Sequence, residues 1–158
     1  MQMRVDIYSD GSARNNPEGP GGYGVILSCT DPEGRIHRSE RSGGYERTTN
    51  NRMELMGVIT GLEALTYPCD VHVWTDSRYV VDTFEKHWID SWMKNGWKRK
   101  TGEVKNRDLW ERLLKAKKMH SVTFHWVKGH NGHPENERCD ALAVQAALGS
   151  HLKTDPGM

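Results

Sequence analysis

Four acidic residues, Asp10, Glu54, Asp76 and Asp140, carry the chemistry that can be read from this chain of 158 residues. Two of them share one construction. Val5-Asp6-Ile7-Tyr8-Ser9-Asp10 alternates apolar and polar residues and runs into Gly11-Ser12, and Val71-His72-Val73-Trp74-Thr75-Asp76 does the same into Ser77. A period of two describes a strand with one apolar face. Each carboxylate then stands at the carboxyl end of a strand, where open α/β sheets place their ligands. The plainer readings are a turn at Asp10-Gly11 and a helix cap at Asp76 or Ser77.

The other two acids fall on helical patterns. Glu54 shares a helix face with Gly57, Val58, Gly61 and Leu65, and Asp140 with Ala143, Val144 and Ala147. A carboxylate on an apolar face is costly unless it is paired or binds a metal. The alternatives are a first-turn acid favoured by the helix dipole for Glu54 and an ion pair with Arg138 or a lysine for Asp140. Four acids gathered at one edge would repel one another, and hard divalent cations relieve that repulsion. Mg²⁺ is the natural candidate. Two such ions about 4 Å apart can clamp a phosphodiester, one activating water and one stabilising the leaving oxygen. His130 lies between Gly129 and Gly132, on a glycine-hinged loop where it can move protons near neutral pH.

The elements that must hold these groups follow in order. Val5–Asp10 is a strand, Gly11 to Gly24 a broken loop, and Tyr23–Thr30 and Arg35–Gly43 two further strands in an antiparallel meander. Thr48-Thr49-Asn50-Asn51 opens a helix from about Asn50 to Thr66. Gly57 and Gly61 each tax that helix by about 1 kcal/mol relative to Ala. Val71–Thr75 is a strand parallel to the first, Ser77 to about Trp92 one helix, and Asn106–Met119 another, capped by Asn106. Val122–Val127 is the last strand, and a helix from Pro134 ends near Gly149.

Composition and charge narrow the partners. No apolar run approaches the roughly 18 residues of a membrane span. Three scattered cysteines suggest neither a disulfide framework nor a zinc site. A single domain over residues 1–150 with a short flexible tail over 151–158 is expected, monomeric, cytoplasmic, and with neither a membrane nor an obligate protein partner. Formal net charge is +1, yet residues 86–118 hold eleven basic side chains against four acidic ones. Trp88, Trp92, Trp97 and Trp110 fall in the same stretch. Interleaved cations and aromatics suit a nucleic-acid backbone and its sugars or bases, with Trp88, Trp92, Lys94 and Lys98 as candidate contacts. Trp110 reads as buried.

Tyr8-Ser9-Asp10-Gly11-Ser12, Thr48-Thr49-Asn50-Asn51-Arg52-Met53-Glu54-Leu55, Thr75-Asp76-Ser77 and the run from Trp126 through Lys128-Gly129-His130 to Cys139-Asp140 occur in that order. Together they resemble bacterial ribonuclease HI, the type 1 ribonuclease H, over nearly the whole chain. The resemblance implies an α/β fold with a five-stranded mixed sheet, three antiparallel strands then two parallel, flanked by helices. It implies hydrolysis of the RNA strand of RNA·DNA hybrids to 3′-hydroxyl and 5′-phosphate ends, with Mg²⁺ as cofactor, two ions with substrate bound, and Mn²⁺ able to substitute. Asp10, Glu54, Asp76 and Asp140 match the family's metal-binding carboxylates and His130 its mobile histidine. Asn16, Asn50 and Asn51 match minor-groove contacts, Arg47 and Thr49 a pocket for a DNA-strand phosphate, and Trp88 an aromatic against DNA sugars. Residues 92–105 correspond to the basic handle, less densely basic here because of Met93, Asn95 and Glu103. Little base-sequence preference is expected, since a 2′-hydroxyl distinguishes the strands. The rival readings are a DNA-cutting relative on the same fold and a non-catalytic nucleic-acid binder.

Overall fold

The computed structural model describes residues 3–13, 18–129 and 132–158. Its centre is β1 (Met3–Ala13), which pairs antiparallel with β2 (Gly19–Thr30) and parallel with β4 (Cys69–Thr75). β3 (Ile36–Thr48) closes one edge against β2, and β7 (Ser121–Trp126) closes the other, parallel to β4. The order β3-β2-β1-β4-β7 is the mixed sheet expected from the sequence. Residues 98–103 add a short ribbon, β5 (Lys98–Arg99) and β6 (Gly102–Glu103), that the sequence did not announce.

Val5, Ile7, Val71 and Val73 are fully buried, so the alternation that marks these strands is the alternation between core and opposite face. The parallel register carries Tyr8 opposite Trp74. Asp10 and Asp76 each lie two residues further on, which sets them level at the same end of neighbouring strands.

α1 (Asn50–Glu63) packs on β1 and β2 and against α4 (Arg107–Lys117). α5 (Pro134–Ala147) covers β1, β2 and β3 from the other side, with its backbone close on Gly22 and Gly24. The expected helix over residues 77–92 is two helices, α2 (Arg78–Glu85) and α3 (Trp88–Lys94). His87 breaks them by taking a left-handed backbone, φ 57°. Thr49, Ser77 and His133 cap α1, α2 and α5 by accepting from Arg52, Val80 and Asn136 backbone N–H groups. Asn106 does not cap α4 as expected. It sits at φ 62°, and its side chain bonds Arg52 and Tyr79 instead.

Trp110 is fully buried, with Tyr79, Phe84 and Trp92 against it, so α2, α3 and α4 share one aromatic cluster. Trp97 and Val104 sink into the same core and anchor the ribbon. The three cysteines are unpaired thiols, and burial pushes that of Cys139 up to about 12. Among the described residues no helix is long and apolar enough to cross a membrane.

The C-terminal segment over residues 151–158, expected as a short tail, packs on the body of the protein. Lys153 exchanges backbone hydrogen bonds with Gly44 and Glu46, and Asp155 is only 6% exposed. Asp155 accepts from the Thr48 hydroxyl at 2.7 Å and from Arg52 Nε and Nη2 at 2.7 and 2.8 Å. Arg52, itself buried, also donates to Asp108 at the start of α4. Burial alone would raise the Asp155 carboxyl, but the bonds from Arg52 and Thr48 outweigh it and hold it below its ordinary value. Removing Arg52 would leave the Asp155 carboxylate buried without a countercharge, so the pair holds the segment against the body of the protein.

Candidate active site

Asp10, at 7% exposure, and Glu54, at 8%, are the most secluded of the four acids, and Asp76 is half-buried. One carboxylate oxygen from each of these three lies within 4.8 Å of the others. The convergence has a local cause. α1 lies so close over the end of β1 that a Cβ on Gly11 would sit 2.3 Å from the Glu54 backbone nitrogen, so glycine is required there. The Gly11 N–H donates to Asp10 Oδ1 at 3.0 Å and also to Glu54 Oε1. Asp140, half-buried on α5, lies outside that tight trio but lines the same open concavity of about 440 Å³. Asn50, Asn51, Ser77, Arg78 and Tyr79 complete much of its wall.

Burial pushes the Asp10 carboxyl up to about 7, with the charges of Asp76 and Asp140 adding to it. Glu54 is raised as well, first by burial and then by Asp10 beside it. The pair therefore holds a proton that two solvated carboxylates would not. A cation supplies from outside the charge that this proton supplies from within, and an all-oxygen donor set is what a hard divalent ion takes. The residues present thus fit a divalent metal, with Asp10, Glu54 and Asp76 nearest to hand.

A groove of about 630 Å³ runs from Asn51 past Tyr79, Trp88 and Trp92 to Arg99, Lys105 and Asn106. Trp88 is 42% exposed, with the Lys86 ammonium 5.4 Å from its ring centre. Trp92 also lines the groove, although its ring is partly taken up in packing on Trp110. Lys94 and Lys98 are exposed, but the cations that line the groove are Arg99 and Lys105. Asn106 was missed as a groove residue because Asn before a helix reads as a cap.

The remaining candidates have partners inside the protein. Asn50 Oδ1 accepts from the Ala13 N–H at 2.6 Å, Arg47 pairs with Glu18, and the Thr49 hydroxyl caps α1. Asn16 and His130 lie outside the described residues.

The family model for RNase H matches residues 2–148. The chain belongs to the ribonuclease H family. A protein named Ribonuclease H from Lachnoclostridium phytofermentans is 63% identical over 97% of this chain and 98% of its own length. Among solved structures, LC9-RNase H1, described as a type 1 RNase H with the type 2 active-site motif, superposes with a TM-score of 0.86. It is 37% identical and covers 99% of this chain and 80% of that one. LC11-RNase H1, solved in complex with an RNA/DNA hybrid, is alike in fold alone, with a TM-score of 0.61 at 24% identity over 91% of this chain and 96% of that one. As a ribonuclease H the chain is an endoribonuclease, a hydrolase of phosphodiester bonds, and the carboxylate trio lies where its chemistry can be argued.

Proposed function

We propose that this ribonuclease H hydrolyses the RNA strand of RNA·DNA hybrids at the concavity formed by Asp10, Glu54, Asp76 and Asp140, leaving 3′-hydroxyl and 5′-phosphate ends. The observation that carries the reading is the meeting of three carboxylates, two of them buried, at one end of β1 and β4. Asp10, Glu54 and Asp76 would hold divalent cations, Mg²⁺ with Mn²⁺ able to substitute, and Asp140 would complete the set from α5. When bound, a pair of such ions supplies an activated water and neutralises charge on the leaving oxygen.

The chain's own residues do the rest. Gly11 fixes the carboxylates of Asp10 and Glu54 by one N–H directed at both. Asn50 and Asn51, at the exposed start of α1 and on the wall of the concavity, face the minor groove of the duplex and read its width and 2′-hydroxyls. Thr49 and Arg47 take a phosphate of the DNA strand, Arg47 by exchanging Glu18 for it. Asn16 joins the minor-groove contacts. Trp88 and Trp92 lie against sugars along the groove, where Arg99 and Lys105 meet phosphates. Lys94 and Lys98 add charge at longer range. His130, which the sequence places between Gly129 and Gly132, moves protons or helps product leave. None of these contacts reads a base edge in the major groove, so sequence preference is small. The enzyme acts as a cytoplasmic monomer. A duplex of this kind is accommodated by the fold, since one protein of the same fold has been solved with it.

The test uses four strand-labelled substrates of one sequence, RNA·DNA hybrid, duplex DNA, duplex RNA and single-stranded RNA, each with Mg²⁺ or EDTA. Cleavage is expected in the hybrid's RNA strand alone and lost in EDTA. Cutting of duplex DNA would overturn the substrate assignment, and cutting in EDTA would overturn the metal.

A further inference from the structure

The concavity that holds the acids has a strongly negative wall, and a polyanion must enter it. One described lining residue is cationic, Arg78. It is the first residue of α2, two positions beyond Asp76. Its guanidinium carbon lies 3.8 Å from the centre of the Trp126 ring. That ring is itself fixed: Trp126 ends β7 opposite Thr75, and its indole N–H donates to the Asp76 carbonyl at 3.1 Å. The stack therefore ties Arg78 to the same strand end that carries a metal-binding carboxylate.

The helix position itself does not favour Arg78. A cation in the first turn opposes the partial positive charge of a helix N-terminus, and α2 has no acid in that turn to offset it. It pairs with the Asp82 carboxylate at 3.7 Å, beyond hydrogen-bond distance, and the side chain is 62% exposed. One guanidinium face rests on the indole. The side chain is otherwise largely exposed, a presentation suited to grip a phosphate with two parallel hydrogen bonds.

We propose that Arg78, oriented by Trp126, binds a phosphate of the RNA strand next to the bond that is cut. This rests on the hybrid-cleaving function proposed above. Its contribution is distinct from the groove lined by Trp88 and Trp92, which receives the DNA strand. Arg78 holds the reacting strand against the repulsion of Asp76 and Asp140, and Trp126 is a positioning residue that acts through it.

The experiment compares wild type, Arg78→Gln, Arg78→Lys and Trp126→Leu in steady-state cleavage of the RNA·DNA hybrid across a range of salt, with a thermal melt of each. Arg78→Gln is expected to raise KM about tenfold, the scale of one charge-assisted contact, with kcat nearly unchanged. The slope of log kcat/KM against log salt should fall in magnitude by about 1, as for one lost phosphate contact. Arg78→Lys should keep that slope and recover only part of KM. Trp126→Leu should raise KM without flattening the slope as far. The melting temperature of Arg78→Gln should change little, since relief at the helix N-terminus offsets the lost stack on Trp126. An unchanged KM and salt slope in Arg78→Gln, with wild type cutting the hybrid, would overturn the assignment. So would a loss of activity that tracks a loss of stability. If wild type does not cut the hybrid at all, the proposed function itself fails.

Discussion

The shared proton at Asp10 and Glu54 makes metal binding, proton release and stability one measurable quantity. In the unfolded chain Asp10 titrates at its ordinary value of 3.8, and in the fold at about 7. A carboxyl raised in the fold contributes stability that is complete below the unfolded value and lost as pH rises through the folded one. The window is therefore pH 3.8 to about 7. Above it the metal-free protein carries a penalty on the order of 4 kcal/mol from Asp10. For a domain of this size that is a depression of the melting temperature on the order of 10 °C. A divalent cation replaces the proton and removes the penalty, so Mg²⁺ should stabilise strongly at about pH 8 and weakly at about pH 5. Asp10→Asn should melt higher than wild type in EDTA at the upper pH, lose most of its response to Mg²⁺, and be inactive. Thermal melts in EDTA and in Mg²⁺ at both pH values provide the measurement. Calorimetry in two buffers of different ionisation enthalpy should show proton release on binding near neutral pH. Equal stabilisation by Mg²⁺ at both pH values, or an Asp10→Asn protein less stable than wild type in EDTA, would refute the shared-proton argument.

Other parts of the molecule give independent tests. Asp155→Ala leaves buried Arg52 with Asp108 as its remaining carboxylate partner and should cost about 3 kcal/mol in denaturant unfolding, whereas Arg52→Met with Asp155→Leu should be milder than the Asp155 change by itself. An Asp155→Ala protein as stable as wild type would mean that the C-terminal segment is not held by this pair. Gly61→Ala gains about 1 kcal/mol of helix propensity, but its Cβ would lie 2.7 Å from Ile7 Cγ2. Overpacking of that kind costs about 1–3 kcal/mol, so a fall in melting temperature of a few degrees is expected. Gly57→Ala meets Ser9 Cβ at 3.2 Å, with the Asp10 carbonyl oxygen at 3.5 Å and Tyr23 Cβ at 3.7 Å, and should fall near neutrality. A clear rise for Gly61→Ala would show that α1 can move away from β1. Gly11→Ala should lower kcat far more than it raises KM, because its Cβ would push the Glu54 backbone away from Asp10. Unchanged kcat there would separate the spacing of the two acids from the rate.

The sheet and the acids were legible because each is written in local pattern. Alternating apolar residues before Asp10 and Asp76 fix two strand ends, and equal distances from a paired Tyr8 and Trp74 then set both carboxylates level. What the pattern hid lies in contacts between distant parts of the chain. Residues 151–158 have no periodicity and read as a tail, yet Asp155 reaches Arg52 across 103 positions. Asn106 read as a cap because its neighbours begin a helix, whereas its side chain is claimed by Arg52 and Tyr79. The glycines of α1 show the same limit from the other direction. Propensity counts Gly57 and Gly61 as a loss to the helix, but the missing side chains are what allow α1 to lie close on Ile7 and Ser9 of β1. That close approach continues to Gly11, where it puts the Glu54 carboxylate on the same N–H as that of Asp10. A helix made better by local rules would stand further from the strand and draw Glu54 away from Asp10, so the weakness of α1 as a helix and the tightness of the carboxylate site have one cause.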